Sequence, residues 1–161
     1  MQAHKLVQFV PDISTDLIKK RAKELSTPEA RITFNDVLMT ALSKALRDYL
    51  RDVKNDKETK QIMMTCPFSL RRTPAELNDF EFNNDFAIVP LNLRLVDDIS
   101  TGVKQISRDM NKLKQSMEPI ILYYLIKITM QLPHFLREFI FEDFCTKFSV
   151  GFSNVPGSRR Q

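Results

Sequence analysis

Glycine is scarce in this chain of 161 residues, which contains Gly102, Gly151 and Gly157 and no others. No two of them are placed to form a glycine-rich loop around a phosphate, so the nucleotide-binding families built on such loops are excluded. Histidine is limited to His4 and His134, and neither stands in a spacing typical of a metal site. A Ser-His-Asp hydrolase is also excluded, because no nucleophile elbow precedes a helix. No catalytic residue and no metal site are predicted within the chain.

Cysteine is nearly absent too. Cys66 and Cys145 are far apart, and both lie among apolar residues. Buried, reduced thiols are favoured over a disulfide or a reactive site.

Long hydrophobic runs are missing. The longest apolar stretch, residues 119–132, is interrupted by Lys127 and is shorter than the roughly 20 residues of a spanning helix. The N-terminus has no run long enough for a signal peptide. We therefore predict a protein on the cytosolic side that does not cross a membrane. The helices predicted within residues 120–132 and 135–144 could still contact a membrane or lipid droplet, although core packing is the favoured explanation of their apolar residues.

The sequence has no large excess of charge of either sign. The sequence has 24 Lys+Arg and 20 Asp+Glu, a net charge of +4, with both signs interspersed. Nucleic-acid binding is disfavoured, because the phenylalanines follow core periodicity rather than alternating with arginines on exposed strands. With 43% hydrophobic and 27% charged residues, the composition suits a single domain over residues 1–161.

Hydrophobic periodicity predicts a layered α/β domain, a sheet with flanking helices. The clearest helix follows Thr33, whose side chain is predicted to form a capping box with Asp36. Pro90 within a predicted strand indicates a sheet edge or a bulge. The predicted order is strand 6–10, helices 14–25 and 34–53, strands 61–70 and 85–95, helices 99–117, 120–131 and 133–140, and strand 147–152.

Three short polar segments lie at the ends of these elements: 33–36, 68–71 and 153–157. The ends of regular elements are where α/β proteins place working residues. The alternative is that these segments serve only as caps and turns.

The same segments carry a resemblance to a known family. TFNDVLMTALSKALRDYL (33–50) resembles the TVNDVVLAALAGALRRYL-type segment of the wax ester synthase/acyl-CoA:diacylglycerol acyltransferase family. CPFSLRR (66–72) is similar to its PVSLR strand, and FSNVPGS (152–158) to its SNVPGP turn. Residues 97–116 are similar to the family's intervening helix. The motifs occur in the family's order, as expected for its C-terminal half.

The resemblance implies one half of the CoA-dependent, chloramphenicol acetyltransferase-like fold, in which two α/β halves enclose a tunnel. The implied reaction transfers a fatty acyl group from acyl-CoA, as co-substrate, to a long-chain alcohol or diacylglycerol. The family's general base lies in an HHxxxDG motif of the N-terminal half. No His-His pair occurs here. The implied partner is therefore an HHxxxDG-bearing half, in cis or in trans, without which the chain is expected to be inactive.

The resemblance also assigns site residues. It implies that Asn35 and Asp36 line or brace the tunnel near the reaction centre, and that Ser153 and Asn154 shape the cofactor or acyl side. Three further residues are implied in site architecture by the remaining motifs: Ser69, Arg71 and Asn84.

This sequence departs from the family at two positions. Asn83 stands where the family usually has glycine, and Ser158 replaces the last proline of SNVPGP. The alternative function, from another class, is a non-catalytic module that binds acyl groups or a partner.

Overall fold

The computed structural model describes residues 7–8, 12–28, 30–70 and 85–154. The predicted α/β class is confirmed. The elements within these ranges are α1 (Thr15–Leu25), α2 (Phe34–Asp52), β1 (Gln61–Ser69), β2 (Phe86–Arg94), α3 (Ile99–Gln115), α4 (Glu118–Thr129), α5 (His134–Thr146) and β3 (Val150–Gly151). The predicted first strand lies mostly outside the described residues, and its two described members, Val7 and Gln8, belong to no regular element.

The three strands form one sheet in the order β2-β1-β3. β1 and β2 are antiparallel along their whole length, with Thr65 opposite Pro90, while β3 runs parallel to β1. β2 has one neighbour among the described strands, so the prediction from Pro90 of an edge strand is confirmed there. Proline can occupy such a strand because no second neighbour needs its missing N–H group.

The main core lies between the sheet and helices α2 and α3. Alternate residues of β1 and β2 point into it, as the two-residue period of a strand requires. Its buried members are Met39, Met64, Cys66, Leu93, Val96, Ile106 and Met110. A second, smaller cluster of Ala22, Ile32 and Val103 joins α1 to α2 and α3.

Helix α2 is present as predicted, but its most buried face is not the apolar one. Ala41, Ala45 and Tyr49, which belong to the apolar residues at helical spacing that predicted this helix, are exposed. The residues that α2 buries are Asp36, Met39, Thr40, Ser43 and Arg47. The prediction of a core helix is confirmed for apolar residues such as Leu42 and Leu46, which pack against the main core, but not for these three.

Polar side chains can occupy this face of α2 because the fold supplies their hydrogen bonds. The Ser43 hydroxyl donates to the carbonyl of Arg94 at 2.6 Å and accepts from the N–H of Val96 at 3.0 Å. One turn later Arg47, 7% exposed, donates to Asp97 Oδ1 at 3.0 Å and to the carbonyl of Thr59 at 2.9 Å. These bonds join α2 to the end of β2 and to the segment before β1.

Helices α4 and α5 differ from the rest in leaving most of their apolar surface uncovered. Helix α4 packs on β2, whereas α5 has no buried residue. Large apolar side chains are exposed on both helices, among them Ile121, Tyr124, Leu125, Ile128, Phe135 and Phe139. The favoured expectation that core packing explains these helices fails for these side chains. None of the helices in the described part of the chain is long and apolar enough to span a membrane.

Gly102 allows α3 to pack against the segment that follows β2. A Cβ atom at this position would lie 2.8 Å from Val96 Cβ, Cγ1 and Cγ2. We predict that Gly102→Ala lowers the free energy of unfolding by about 1–2 kcal/mol, because overpacking outweighs the gain in helix propensity. Urea unfolding followed by circular dichroism measures this.

The matched control is Gln105→Ala, an exposed site on the same helix, where the change should stay within about 0.5 kcal/mol. Equal stability of the Gly102 variant and the parent protein would contradict the close approach.

Candidate functional site

The candidate site begins at the first turn of α2. The Thr33 side chain accepts from the N–H of Asp36 at 3.3 Å, and Asp36 Oδ2 accepts from the N–H of Thr33 at 2.8 Å. The predicted capping box is confirmed. It fixes the backbone at Asn35, between the two capping residues.

Asp36 has one oxygen that the cap does not use. The residue is 1% exposed, and its Oδ1 has no hydrogen-bond partner among the residues that the structure describes. A buried carboxylate oxygen without a donor is costly, so such positions call for a specific explanation. Asp36 therefore caps the helix, as the interpretation of these segments as caps and turns predicts. It also has an unused acceptor oxygen beside Asn35.

Asn35 and Asn154 meet across 119 residues of sequence. Asn154 Nδ2 donates to Asn35 Oδ1 at 2.6 Å, and both side chains are exposed. The pair keeps further N–H donors on Asn35 and a carbonyl acceptor on Asn154. The structure thus joins two of the three polar segments that the sequence indicated.

The pairing of strand β3 with β1 places Asn154 near the first turn of α2. It is aligned with β1 by the bonds from Ser149 N to Met63 O at 3.0 Å and from Phe152 N to Thr65 O at 2.9 Å. Since β1 and β3 are parallel, the chain leaves β3 at the end of the sheet where β1 ends with Ser69. Ser69 and Ser153 are both exposed at this end.

Two predicted site residues, Arg71 and Asn84, lie outside the described residues. The other five predicted site residues are described. Asn35 bonds to Asn154 and is followed in sequence by Asp36. Ser69 and Ser153 lie at the same end of the sheet.

Asp85, Tyr123 and Lys127 form a polar group at this end that the sequence did not reveal. The Tyr123 hydroxyl donates to Asp85 Oδ1 at 2.6 Å, and Lys127 Nζ lies 4.3 Å from the centre of the Tyr123 ring. The interaction with Tyr123, and to a smaller extent the charge of Asp85, raises the pKa of Lys127. No local pattern could have indicated a contact spanning 38 residues.

The site can hold and orient a ligand through amide, hydroxyl and carboxylate groups. In the described part of the chain no group of three or more His, Cys, Asp or Glu residues is arranged to hold a metal ion.

Comparison with known protein families gives a match in the second half of the chain. Residues 83–161 match the family model described as WS/DGAT C-terminal domain. The match contains the SNVPG segment with Asn154 and begins after the segments 33–50 and 66–72. No curated protein and no solved structure matches the chain.

The two cysteines differ in exposure. Cys66 is buried, as expected, and this burial raises the pKa of its thiol, partly opposed by Lys114. Cys145 is exposed on α5, which corrects the expectation that both are buried. The apolar residues next to Cys145 in sequence suggested burial, but they lie on α5, which has no buried residue.

We predict that one thiol of the native chain reacts rapidly with a disulfide reagent. Cys145 should react first, and Cys66 only on unfolding, because it is buried and its raised pKa lowers the thiolate fraction. Ellman titration before and after denaturant measures this, with Cys145→Ser as the control. Rapid native labelling of that variant would contradict the burial of Cys66.

We also predict that Asn35 and Asn154 are energetically coupled. A double-mutant cycle of Asn35→Ala and Asn154→Ala should give an interaction free energy of about 0.5–1 kcal/mol, the usual contribution of a hydrogen bond. Asn111, exposed on α3, supplies a control cycle with Asn35, whose two effects should add. An additive result for Asn35 and Asn154 would show that their contact contributes nothing in solution.

Proposed function

We propose, from the premise that this chain belongs to the WS/DGAT C-terminal domain family over residues 83–161, that it is the C-terminal domain of an O-acyltransferase. The proposed enzyme moves a fatty acyl group from acyl-CoA to a long-chain alcohol or diacylglycerol and thereby makes wax ester or triacylglycerol. It acts on the cytosolic side, in contact with its lipid substrates.

The observation that carries this proposal is the contact between Asn35 and Asn154. Asn154 lies in the family-matched segment, whereas Asn35 lies in a segment that resembles the same family but precedes the match. Their contact supports a single site built from both segments at one end of the sheet.

The reaction requires a base that takes the proton of the acceptor alcohol. The alcohol oxygen then attacks the thioester carbonyl carbon, the carbon–sulfur bond breaks, and the CoA thiolate leaves and gains a proton. We assign the base to the HHxxxDG-bearing half. The described residues of this chain contribute orientation instead.

The asparagine pair suits the amide-rich arm of CoA. That arm contains two secondary amides, each with one donor and one acceptor. The pair offers N–H groups of Asn35 and a carbonyl of Asn154 for which no partner occurs among the described residues. We propose that Asn35 and Asn154 bind this arm, while Asp36 braces Asn35 through the capping box.

The test is acyl transfer by the full chain with and without an added HHxxxDG-bearing half. Release of CoA thiol from a long-chain acyl-CoA is followed with hexadecanol or dioleoylglycerol as acceptor. We expect no turnover by the chain alone and turnover by the mixture. Turnover by the chain alone would overturn the assignment of the base.

The alternative is a non-catalytic module that binds acyl groups or a partner, and acyl-CoA binding separates the proposal from the form of it that binds only a partner. Isothermal titration of the chain with a non-hydrolysable acyl-CoA should show binding that Asn154→Ala weakens about tenfold, the effect of losing one or two hydrogen bonds. Asn111→Ala should leave the affinity unchanged. Equal affinities of all three proteins would remove the asparagine pair from the site.

A further inference from the structure

Asp36 differs from the other polar side chains that α2 buries, because the fold leaves one of its oxygens unused. The Thr40 hydroxyl donates to the main-chain carbonyl of Asp36 at 2.6 Å. The Ser43 hydroxyl and the Arg47 guanidinium each form two bonds to groups outside the helix. Oδ1 of Asp36 has no hydrogen-bond partner among the described residues. The fold therefore satisfies its neighbours on this face and leaves one acceptor open.

No cation pairs with Asp36 either. The residue is 1% exposed, and no lysine, arginine or histidine in the described part of the chain forms an ion pair with it. A buried acceptor without a donor costs free energy of folding. An acid at such a position therefore calls for a reason other than folding.

The helix cap requires only one of the two carboxylate oxygens. Oδ2 accepts from the N–H of Thr33 at 2.8 Å and completes the capping box. An asparagine side chain has one carbonyl oxygen that can accept the same bond. The cap thus explains Oδ2 and leaves Oδ1 without a role in the fold.

The unused oxygen lies at the N-terminal end of α2. The bond from Thr33, the N-cap residue, to Oδ2 turns the carboxylate of Asp36 back toward the start of the helix. Asn35, the preceding residue, is exposed and accepts from Asn154 at 2.6 Å. Oδ1 is therefore in the same helical turn as the asparagine pair to which we assign the CoA arm.

We propose that Asp36 Oδ1 accepts a hydrogen bond from a secondary-amide N–H group of the CoA arm. The exposed side chain of Asn35 shifts to admit this group. The inference rests on the proposed function, in which Asn35 and Asn154 bind the arm, and it identifies a third binding residue. Since the hydrogen bond forms only in the complex, Asp36 lowers the stability of the free domain and strengthens binding.

The hydrogen-bonding groups of the arm favour this assignment. Its two amides present two N–H donors and two carbonyl acceptors. Asn35 keeps N–H donors for the carbonyls, whereas the carbonyl of Asn154 matches only one of the N–H groups. Oδ1 of Asp36 supplies the second acceptor. An ammonium or guanidinium ligand has donors but no acceptor, so it would leave the N–H groups of Asn35 unmatched.

The first test measures the stability of the full chain without ligand. Asp36→Asn keeps the acceptor that caps the helix and removes the unused oxygen. The matched control is Asp16→Asn, which alters an exposed acid in the first turn of α1 and so reproduces the loss of charge at a helix N-terminus. In urea unfolding followed by circular dichroism, the midpoint of Asp36→Asn should be no lower than that of the control. A lower midpoint would show that Oδ1 supports the fold and would overturn the proposal.

The second test measures binding by isothermal titration with S-hexadecyl-pantetheine, a thioether that contains both amides of the arm and cannot be hydrolysed. Asp36→Asn should bind it about tenfold more weakly than the parent protein, the effect of losing one hydrogen bond to a charged group. Asp16→Asn should bind as the parent does. An analogue in which esters replace the two amides has no N–H group, so the parent and Asp36→Asn should bind it equally.

The outcomes separate this inference from the proposed function. Equal affinity of the parent and Asp36→Asn for the amide ligand, with Asn154→Ala still weakened, would overturn the inference and leave the proposed function intact. An equal loss of affinity by Asp36→Asn for the ester analogue would also overturn it, because the carboxylate would then act without accepting an N–H group. Absence of binding by the parent would overturn the proposed CoA site and this inference with it.

Discussion

The hydroxyl of Ser43 is the contact on which the arrangement of this domain depends. It lies on the buried face of α2 and bonds the carbonyl of Arg94 and the N–H of Val96, the two groups where β2 ends. Arg47 extends the same attachment by one helical turn to Asp97. Hydrogen bonds are directional, whereas apolar contacts tolerate sliding and rotation. These bonds therefore fix how α2 lies on the sheet and where its first turn points.

That orientation explains the candidate site. With α2 fixed near its middle, its N-terminus projects to the sheet end at which β1 and β3 both finish. The chain that leaves β3 reaches it through the bond between Asn154 and Asn35. The capping box holds the backbone of Asn35 with two further bonds. The rigid part of the domain thus positions two exposed amides, which is the usual relation between a scaffold and a binding residue on a loop or helix end.

Helices α4 and α5 differ from the rest of the domain in the apolar side chains that they expose. Helix α4 is attached to the sheet through the hydroxyl of Tyr123 and Asp85, yet it presents apolar side chains outward, and α5 continues that surface.

The sequence by itself determined the helices and strands, one helix cap and the special position of one proline. Hydrophobic period and turn residues predicted the helices and strands within the described ranges, the capping box of Thr33 and Asp36, and an edge or a bulge at Pro90. All of these depend on residues close in sequence. The motifs indicated Asn35 and Asn154 separately, and the family model that matches residues 83–161 supports the family that the resemblance suggested. Only the tertiary structure decided that the two asparagines meet, that α2 buries Ser43 and Arg47 rather than its alanines, and that Cys145 and the apolar side chains of α5 are exposed. These features depend on partners far away along the chain, or on the lack of a covering partner, and local periodicity contains no information about either.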